Sequence, residues 1–391
     1  MPAAQHMMDM MERQSFIRKM FEEGARLKAE YGAQNVFDFS LGNPDVPPPA
    51  VFKQTIRDLI DEVSTSHGYM PNPGWPHARA AVAEHLKTEQ GVSLGPDQVI
   101  MTCGAAGALN VAFKALLNPG EEVITPAPYF VEYGTYADNF GGKLVTAPTA
   151  QGFRLDPAAI EAAISPRTRA VLINSPNNPT GAVYSFEELA GLAQVLEAAK
   201  SKFGQRVYLI SDEPYRKIVY DGLTVPSVLE AYPHSLVAHS YSKDLSLAGE
   251  RIGFLAINPQ AEDAAEVTSA AVLANRILGF VNAPSLMQLA VARLQGVSVD
   301  VSIYHKRRDL LCDGLAGLGY EFTKPQGAFY LFPKSPLADD VAFAGLLKEE
   351  RVLVVPGSGF GGPGHFRISY AVQDKVIEGA MDGFKRAIER A

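Results

Sequence analysis

The chain has 391 residues, 47% of them apolar and 20% charged, and a formal charge of −8 at pH 7. That composition excludes a disordered chain, and the length allows a large core and about two to three domains. The acidic balance argues against a nucleic-acid or anionic-membrane surface, since neutralising phosphates needs a basic patch.

In chain order, residues 1–20 carry Asp9 and Glu12 and no apolar block, so neither a signal nor a transit peptide is expected. Phe16, Ile17, Met20, Phe21 and Leu27 recur at helical spacing and predict an amphipathic helix over 12–30. A strand is expected at 36–40, followed by the loop Leu41-Gly42-Asn43-Pro44-Asp45 and prolines 47–49. Proline is tolerated at a helix start, so 50–63 reads as a helix. From about residue 95, strand-like runs at 99–103, 122–125, 143–146, 170–173, 207–210, 235–239 and 252–257 alternate with helix-like runs such as 106–117, 157–164 and 186–199. That alternation predicts an α/β fold with a mostly parallel sheet covered on both faces. After about residue 285 the pattern changes. A long helical stretch is expected over 285–318, short strands at 329–332, 352–355 and 366–370, and helices at 339–349 and 375–391. The less regular order predicts a smaller α+β domain, with the N-terminal helix packed against it. The expected division is a large domain of 50–285 and a small domain of 1–49 with 286–391. No apolar run reaches the ~18 residues of a membrane helix. Cytoplasmic location is the expectation.

Several polar or Gly/Pro-rich segments follow strands directly, where ligands bind in open α/β sheets. Thr102-Cys103-Gly104-Ala105-Ala106-Gly107 turns a strand into a helix through small residues. Free N–H groups at a helix start bind phosphate, although small residues also serve a plain turn there. Cys103 and Cys312 are the only cysteines and form no paired motif, so neither a zinc cluster nor a disulfide is expected, and a reducing compartment fits. Cys103 reads as a small buried residue. His67, His77 and the other histidines show no metal-like spacing, so no metal is expected.

Ser240-Tyr241-Ser242-Lys243 places a lysine beside small hydroxyls after a strand, with Arg251 following. A buried lysine loses its proton more readily, and a neutral amine forms a Schiff base. Alone, such a lysine is more often a surface residue. Asp212-Glu213-Pro214-Tyr215 ends an apolar strand with a carboxylate, which needs a partner if buried. Alone, it suits a helix cap or turn. Together with the turn Asn174-Ser175-Pro176-Asn177-Asn178-Pro179-Thr180-Gly181 and a late arginine, these parts suit pyridoxal 5′-phosphate. That cofactor needs an amine for its aldehyde, an anion for its ring nitrogen, donors for its 3′ oxygen and a cup for its phosphate.

At this point the sequence resembles the class I and II aminotransferases, the fold-type-I pyridoxal-phosphate enzymes. Asn-Pro-Thr-Gly, Asp-Glu-Pro-Tyr, Ser-x-Ser-Lys and Phe-Arg-Ile-Ser carry the resemblance from Gly42 to Arg367 in family order. It implies a large domain with a mostly parallel central sheet plus a smaller α+β domain. It implies that Lys243 holds the cofactor as an internal aldimine and then acts as general base. It implies that Asp212 keeps the pyridine nitrogen protonated, that Asn178 and Tyr215 bond the 3′ oxygen, and that Phe130 stacks on the ring. Ala105 and Ala106 would give backbone N–H groups to the phosphate, with Ser240, Ser242 and Arg251 as side-chain donors. Tyr69 would reach the phosphate of the neighbouring subunit in a homodimer. Arg367, with Gly42 and Asn178, would bind the substrate α-carboxylate, and Gly42 would let the backbone approach it. Where many relatives have a hydroxyl or lysine in the phosphate turn, this chain has Ala105-Ala106. Where some have Trp, it has Phe130.

The implied reaction moves an amino group between an L-amino acid and a 2-oxo acid. The expected pair is 2-oxoglutarate/glutamate with aspartate or an aromatic amino acid. A dicarboxylate needs a second cation, and the family's lysine for it aligns with Ala106. Arg276 stands roughly where a distal arginine would, or is a surface residue. Tyr133 lines the substrate pocket or is a core aromatic. The alternatives are a C–S lyase on the same scaffold, a regulator without the DNA-binding module such proteins carry, and a binding protein without cofactor.

Overall fold

The structure, a computed structural model, describes residues 3–12, 16–62 and 67–391. Seven strands form the central sheet: β1 Val99–Thr102, β2 Glu122–Ala127, β3 Lys143–Pro148, β4 Thr168–Asn174, β5 Tyr208–Asp212, β6 Ser235–Ser240 and β7 Gly253–Ile257. Their order is β1-β7-β6-β5-β4-β2-β3, and only β7 runs antiparallel to its neighbours. This is the α/β class with the mostly parallel sheet that the alternation predicts.

The central strands are apolar runs because both faces are covered. Val171, Ile173, Leu209 and Val237 join one core. Their neighbours Ala170, Leu172, Ile210 and Leu236 join the other. That is the two-residue period of a strand serving two layers, and each large aliphatic side chain so buried contributes about 1.5–3 kcal/mol. Register brings the strand ends together. Asn174 pairs with Asp212, Asp212 with Ala238, and Gly253 with both Ser240 and Thr102. The chemistry-bearing ends of β1, β4, β5 and β6 therefore share one edge.

The smaller part centres on Phe39, Tyr304, Leu311, Phe343, Phe366, Ile377 and Phe384. Tyr330–Leu331, Phe366–Ser369 and Val355–Pro356 form an antiparallel sheet, while Phe37–Asp38 pairs in parallel with Val352–Leu353. The helix Phe16–Tyr31 sends Leu27 against Val36 and Leu353. Of the helix expected over 12–30, residues 13–15 and the side chains of Phe16, Ile17 and Phe21 lie outside what is described.

Three expectations change. The stretch 285–318 is two helices, Ser285–Arg293 and Val301–Gly317. Gly296 takes a left-handed φ of 80°, and the Asp300 carboxylate starts the second helix by accepting from Ser302 N. The strand at 36–40 shortens to Phe37–Asp38. Helices Pro76–Gln90, Glu132–Asp138 and Ala264–Ile277 were not expected. Two of these bury small alanines such as Ala78, Ala83, Ala271 and Ala274, which mark a helix face weakly. Among the described residues, no helix is long and apolar enough to cross a membrane.

Candidate active site

A cavity of about 270 Å³ opens at the shared strand edge, where the small antiparallel sheet meets the large one. Lys243 lies just beyond β6, in the short helix Tyr241–Asp244 that Ser240 Oγ caps by accepting from Ser242 N at 3.2 Å. Its Nζ donates to Gly42 O at 2.6 Å. Burial, then the positive charges of Arg367 and Arg251, lower its pKa to about 8, against the pull of Asp212. Its surface is partly open because it faces the cavity, yet protein surrounds the amine. The sign is clear: the neutral, nucleophilic amine grows as pH rises through about 8. Reaction of the cofactor-free protein with an aldehyde at Lys243 should therefore accelerate with a midpoint near 8. A midpoint above 10, the value of an exposed lysine, would contradict this environment.

Asp212 ends β5. Its Oδ2 accepts from Tyr133 Oη at 2.6 Å, while the buried Oδ1 has no partner among the described residues. Burial raises its pKa to about 7, with the Tyr133 bond opposing. A carboxylate oxygen lining a cavity with no partner is satisfied best by a cationic N–H, which would also restore the ionised form. Asn174 ties the neighbouring turn to this strand. Its Nδ2 donates to Asp212 O at 2.7 Å, and its Oδ1 accepts from Asn178 N at 2.7 Å.

Arg367 sits in the strand Phe366–Ser369 and is 2% exposed. It donates from Nη2 to Ser40 O at 2.6 Å and from Nη1 to Asn178 Oδ1 at 3.1 Å, while Nε is buried without a partner among the described residues. Tyr330 and Phe360 flank its plane at 4.7 and 4.6 Å. Burial opposes its charge, and no described carboxylate pairs with it. A buried guanidinium without a counter-ion is poised for an anion.

The turn at the start of the helix Gly104–Leu116 brings Ala105 and Ala106 to the cavity beside Ser240, Ser242 and Arg251. Ser240 Oγ and Ser242 Oγ lie 2.6 Å apart. Gly104 has φ +71°, and a Cβ there would come within 3.2 Å of Arg251 Nη2, which is why the turn needs glycine. Burial raises the Cys103 thiol, so it is no ready nucleophile.

Phe130 and Tyr215 line the same space, and Tyr215 Oη lies 2.8 Å from Tyr330 Oη. Gly42 also lines it, but for a second reason. A Cβ at Gly42 would fall 1.8 Å from Tyr330 Oη.

The cavity thus brings together every cofactor and substrate residue that the resemblance implies within one chain, Tyr69 being implied only at the neighbouring subunit's phosphate. Tyr69 is 97% exposed and does not line the cavity of its own chain, and neither does the exposed Arg276. Tyr133 is 1% exposed and spends its hydroxyl on Asp212, so it does not line the substrate space. Tyr330, Asn174, Leu109 and Tyr136 line the cavity without having been singled out for a role. Asn174 stood in the asparagine-rich turn, but Tyr330 carried no signal beyond a short strand. Among the described residues, no cluster of three or more His, Cys, Asp or Glu could hold a metal.

The residues present fit pyridoxal 5′-phosphate: an amine of lowered pKa, an orphaned buried carboxylate oxygen and a helix-start cup converge on one space. The family description "Aminotransferase class I and II" matches residues 34–384. The aspartate/prephenate aminotransferase of Thermus thermophilus is 37% identical over 359 residues, covering 90% of this chain and 91% of that protein. Aromatic-amino-acid aminotransferase 2 of Thermococcus litoralis is 32% identical, covering 96% of each. Among solved structures, an aminotransferase from Eubacterium rectale matches with a TM-score of 0.96 at 42% identity, over 100% of this chain and 99% of its own. Aspartate aminotransferase from Thermus thermophilus with maleate matches with a TM-score of 0.86 at 32% identity, over 96% and 97%.

Proposed function

Because this chain belongs to the class I and II aminotransferases, we propose that its cavity binds pyridoxal 5′-phosphate on Lys243 and serves transfer between an L-amino acid and 2-oxoglutarate. The chain is a transaminase, and its family depends on that cofactor. The convergence of Lys243, Asp212 Oδ1 and the uncompensated Arg367 on one cavity supports the assignment. When bound, the cofactor supplies an electron sink for the pair released as the substrate Cα–H bond breaks.

This chain's residues do the rest. Arg367 grips the α-carboxylate with its two-pronged guanidinium and sets which bond at Cα is presented. Lys243 would act as the base for the Cα proton, a role its lowered pKa suits. Asp212 Oδ1 would hold a proton on the ring nitrogen, with Tyr133 orienting Oδ2. Asn178 and Tyr215 would serve the 3′ oxygen, and Phe130 the ring face. The N–H groups of Ala105 and Ala106, with Ser240, Ser242 and Arg251, would hold the phosphate. The division into 50–285 and 1–49 with 286–391 belongs to the same proposal, the small part closing over bound substrate to exclude water.

A homodimer is part of this reading. Tyr69, Ile277, Phe280 and Val281 are exposed. Asn282 Nδ2 bonds Pro71 O and Asn72 O, both at 3.0 Å, joining their two segments. An apolar patch of this kind suits a second copy, whose phosphate Tyr69 would reach. Tyr69→Phe should weaken cofactor retention severalfold and leave the dimer intact in ultracentrifugation. Unchanged retention would remove Tyr69 from the site. The two free cysteines suit a reducing, cytoplasmic setting.

For the amino donor, aspartate or an aromatic amino acid fits the names of the relatives. The cations lining the cavity are Lys243, Arg251 and Arg367, all with roles already, and Phe130, Tyr136 and Leu109 give it an apolar wall. This favours the aromatic donor within a single chain. A screen of donors with 2-oxoglutarate on protein loaded with pyridoxal phosphate tests it. Glutamate formed from aromatic donors or aspartate is expected. Ammonia released without any 2-oxo acid would instead indicate a C–S lyase, a reading the relatives do not favour.

A further inference from the structure

We infer that Tyr330 is a positioning residue that donates its hydroxyl proton to Tyr215 Oη, so that Tyr215 points its own proton at the cofactor and lowers the proton affinity at Lys243. The inference rests on the function proposed above. The two hydroxyls lie 2.8 Å apart, and among the described residues each has the other as its one hydrogen-bond partner. One proton therefore occupies the pair and one is left over. Which tyrosine keeps the free proton decides what reaches the cavity.

The surroundings choose. The Arg367 guanidinium lies 4.7 Å over the Tyr330 ring, and a nearby cation makes a phenol the better donor. Tyr215 has Phe329 edge-on at 5.4 Å and the Lys243 amine 5.9 Å over its ring. For Tyr215 the charge of Arg367 favours ionisation and that of Asp212 opposes it to a smaller extent. Burial raises both phenols; the neighbouring Tyr330 raises Tyr215 further, whereas Arg367 and the bond to Tyr215 pull Tyr330 back down. The stronger acid donates, so Tyr330 gives and Tyr215 receives. A phenol that accepts a hydrogen bond becomes a better donor in turn, because the chain of bonds polarises cooperatively.

Tyr330 is also held in place. Its ring meets that of Tyr215 edge-on at 5.7 Å and 84°, and its hydroxyl occupies the space a Cβ on Gly42 would need. Glycine at 42 is thus matched to the tyrosine at 330, which gives that glycine a reason independent of the substrate. Tyr330→Phe removes one oxygen and leaves the contacts of its ring with Arg367 and Tyr215 in place.

The test is a pH titration of the visible absorption band of protein loaded with pyridoxal phosphate, for the wild type, Tyr330→Phe, Tyr215→Phe and the double variant. A weaker donor at Tyr215 stabilises the charged 3′ oxygen less, so the proton at Lys243 is held more tightly. Tyr330→Phe should raise the midpoint by about 0.5–1 pH unit. Tyr215→Phe should raise it further, and adding Tyr330→Phe to that variant should change nothing more. An unchanged midpoint in Tyr330→Phe, or an equal shift that persists without the Tyr215 hydroxyl, would overturn the inference. These outcomes leave the cofactor reading standing. A wild-type protein that shows no lysine-dependent band overturns that reading, and this inference with it.

Discussion

Lys243→Ala should lower transamination by about a thousandfold or more, because one substitution removes both the attachment point and the base that moves the proton. The protein should still fold. Among the described residues Lys243 makes one hydrogen bond, to Gly42 O, and carries no ion pair, while its helix is held by the Ser240 cap and the buried Tyr241. Cofactor should still enter, since Arg251, the two serines and the helix start do not depend on the amine, but the visible band of lysine-bound cofactor should be absent. Small primary amines supplied in solution should restore part of the rate. Turnover close to that of the wild type without added amine would remove Lys243 from the chemistry.

Arg367→Ala should act mainly on capture. A guanidinium buried without a counter-ion has its largest interaction with the substrate carboxylate, and truncating one partner of such a pair costs about 2–5 kcal/mol. That corresponds to roughly a 30- to 5,000-fold loss in kcat/KM, carried mostly by KM if the contact is equal in ground and transition states. The substitution also takes donors from Ser40 O and Asn178 Oδ1, so thermal unfolding must be followed in parallel. Arg367→Lys keeps the charge and loses the fork, and should recover only part of the loss. A variant with unchanged kcat/KM at limiting amino acid would place the carboxylate elsewhere.

Much of this site was legible in the sequence because its parts fall at strand ends, where short motifs concentrate. Lys243 follows an apolar strand and two closely spaced serines. Asp212 closes another such strand, and Arg367 stands inside a third. Each position reads from its own neighbours. Tyr133 and Tyr330 do not read that way. Tyr133 lies 79 residues from Asp212, and Tyr330 lies 115 from Tyr215. Their roles exist only once the chain has folded, and an aromatic in a helix or strand looks locally like core. The same physics explains the elements that were misread. Alanine-rich helices such as Ala264–Ile277 bury little area per residue and leave a faint period. The run after residue 285 looked continuous because Leu, Val and Ala persist across the break. The true signals were single residues, Gly296 and Asp300. Tyr69 and Arg276 lie on the surface, away from the cavity, so no packing in the chain itself marks them.

The proposed chemistry requires that Lys243 carry the cofactor. The direct measurement is borohydride reduction of the protein loaded with pyridoxal phosphate, followed by peptide mass mapping. The account predicts one stoichiometric phosphopyridoxyl label, on Lys243, with none on the exposed lysines. A label on another lysine, or protein that binds the cofactor and reduces without a label, would contradict it.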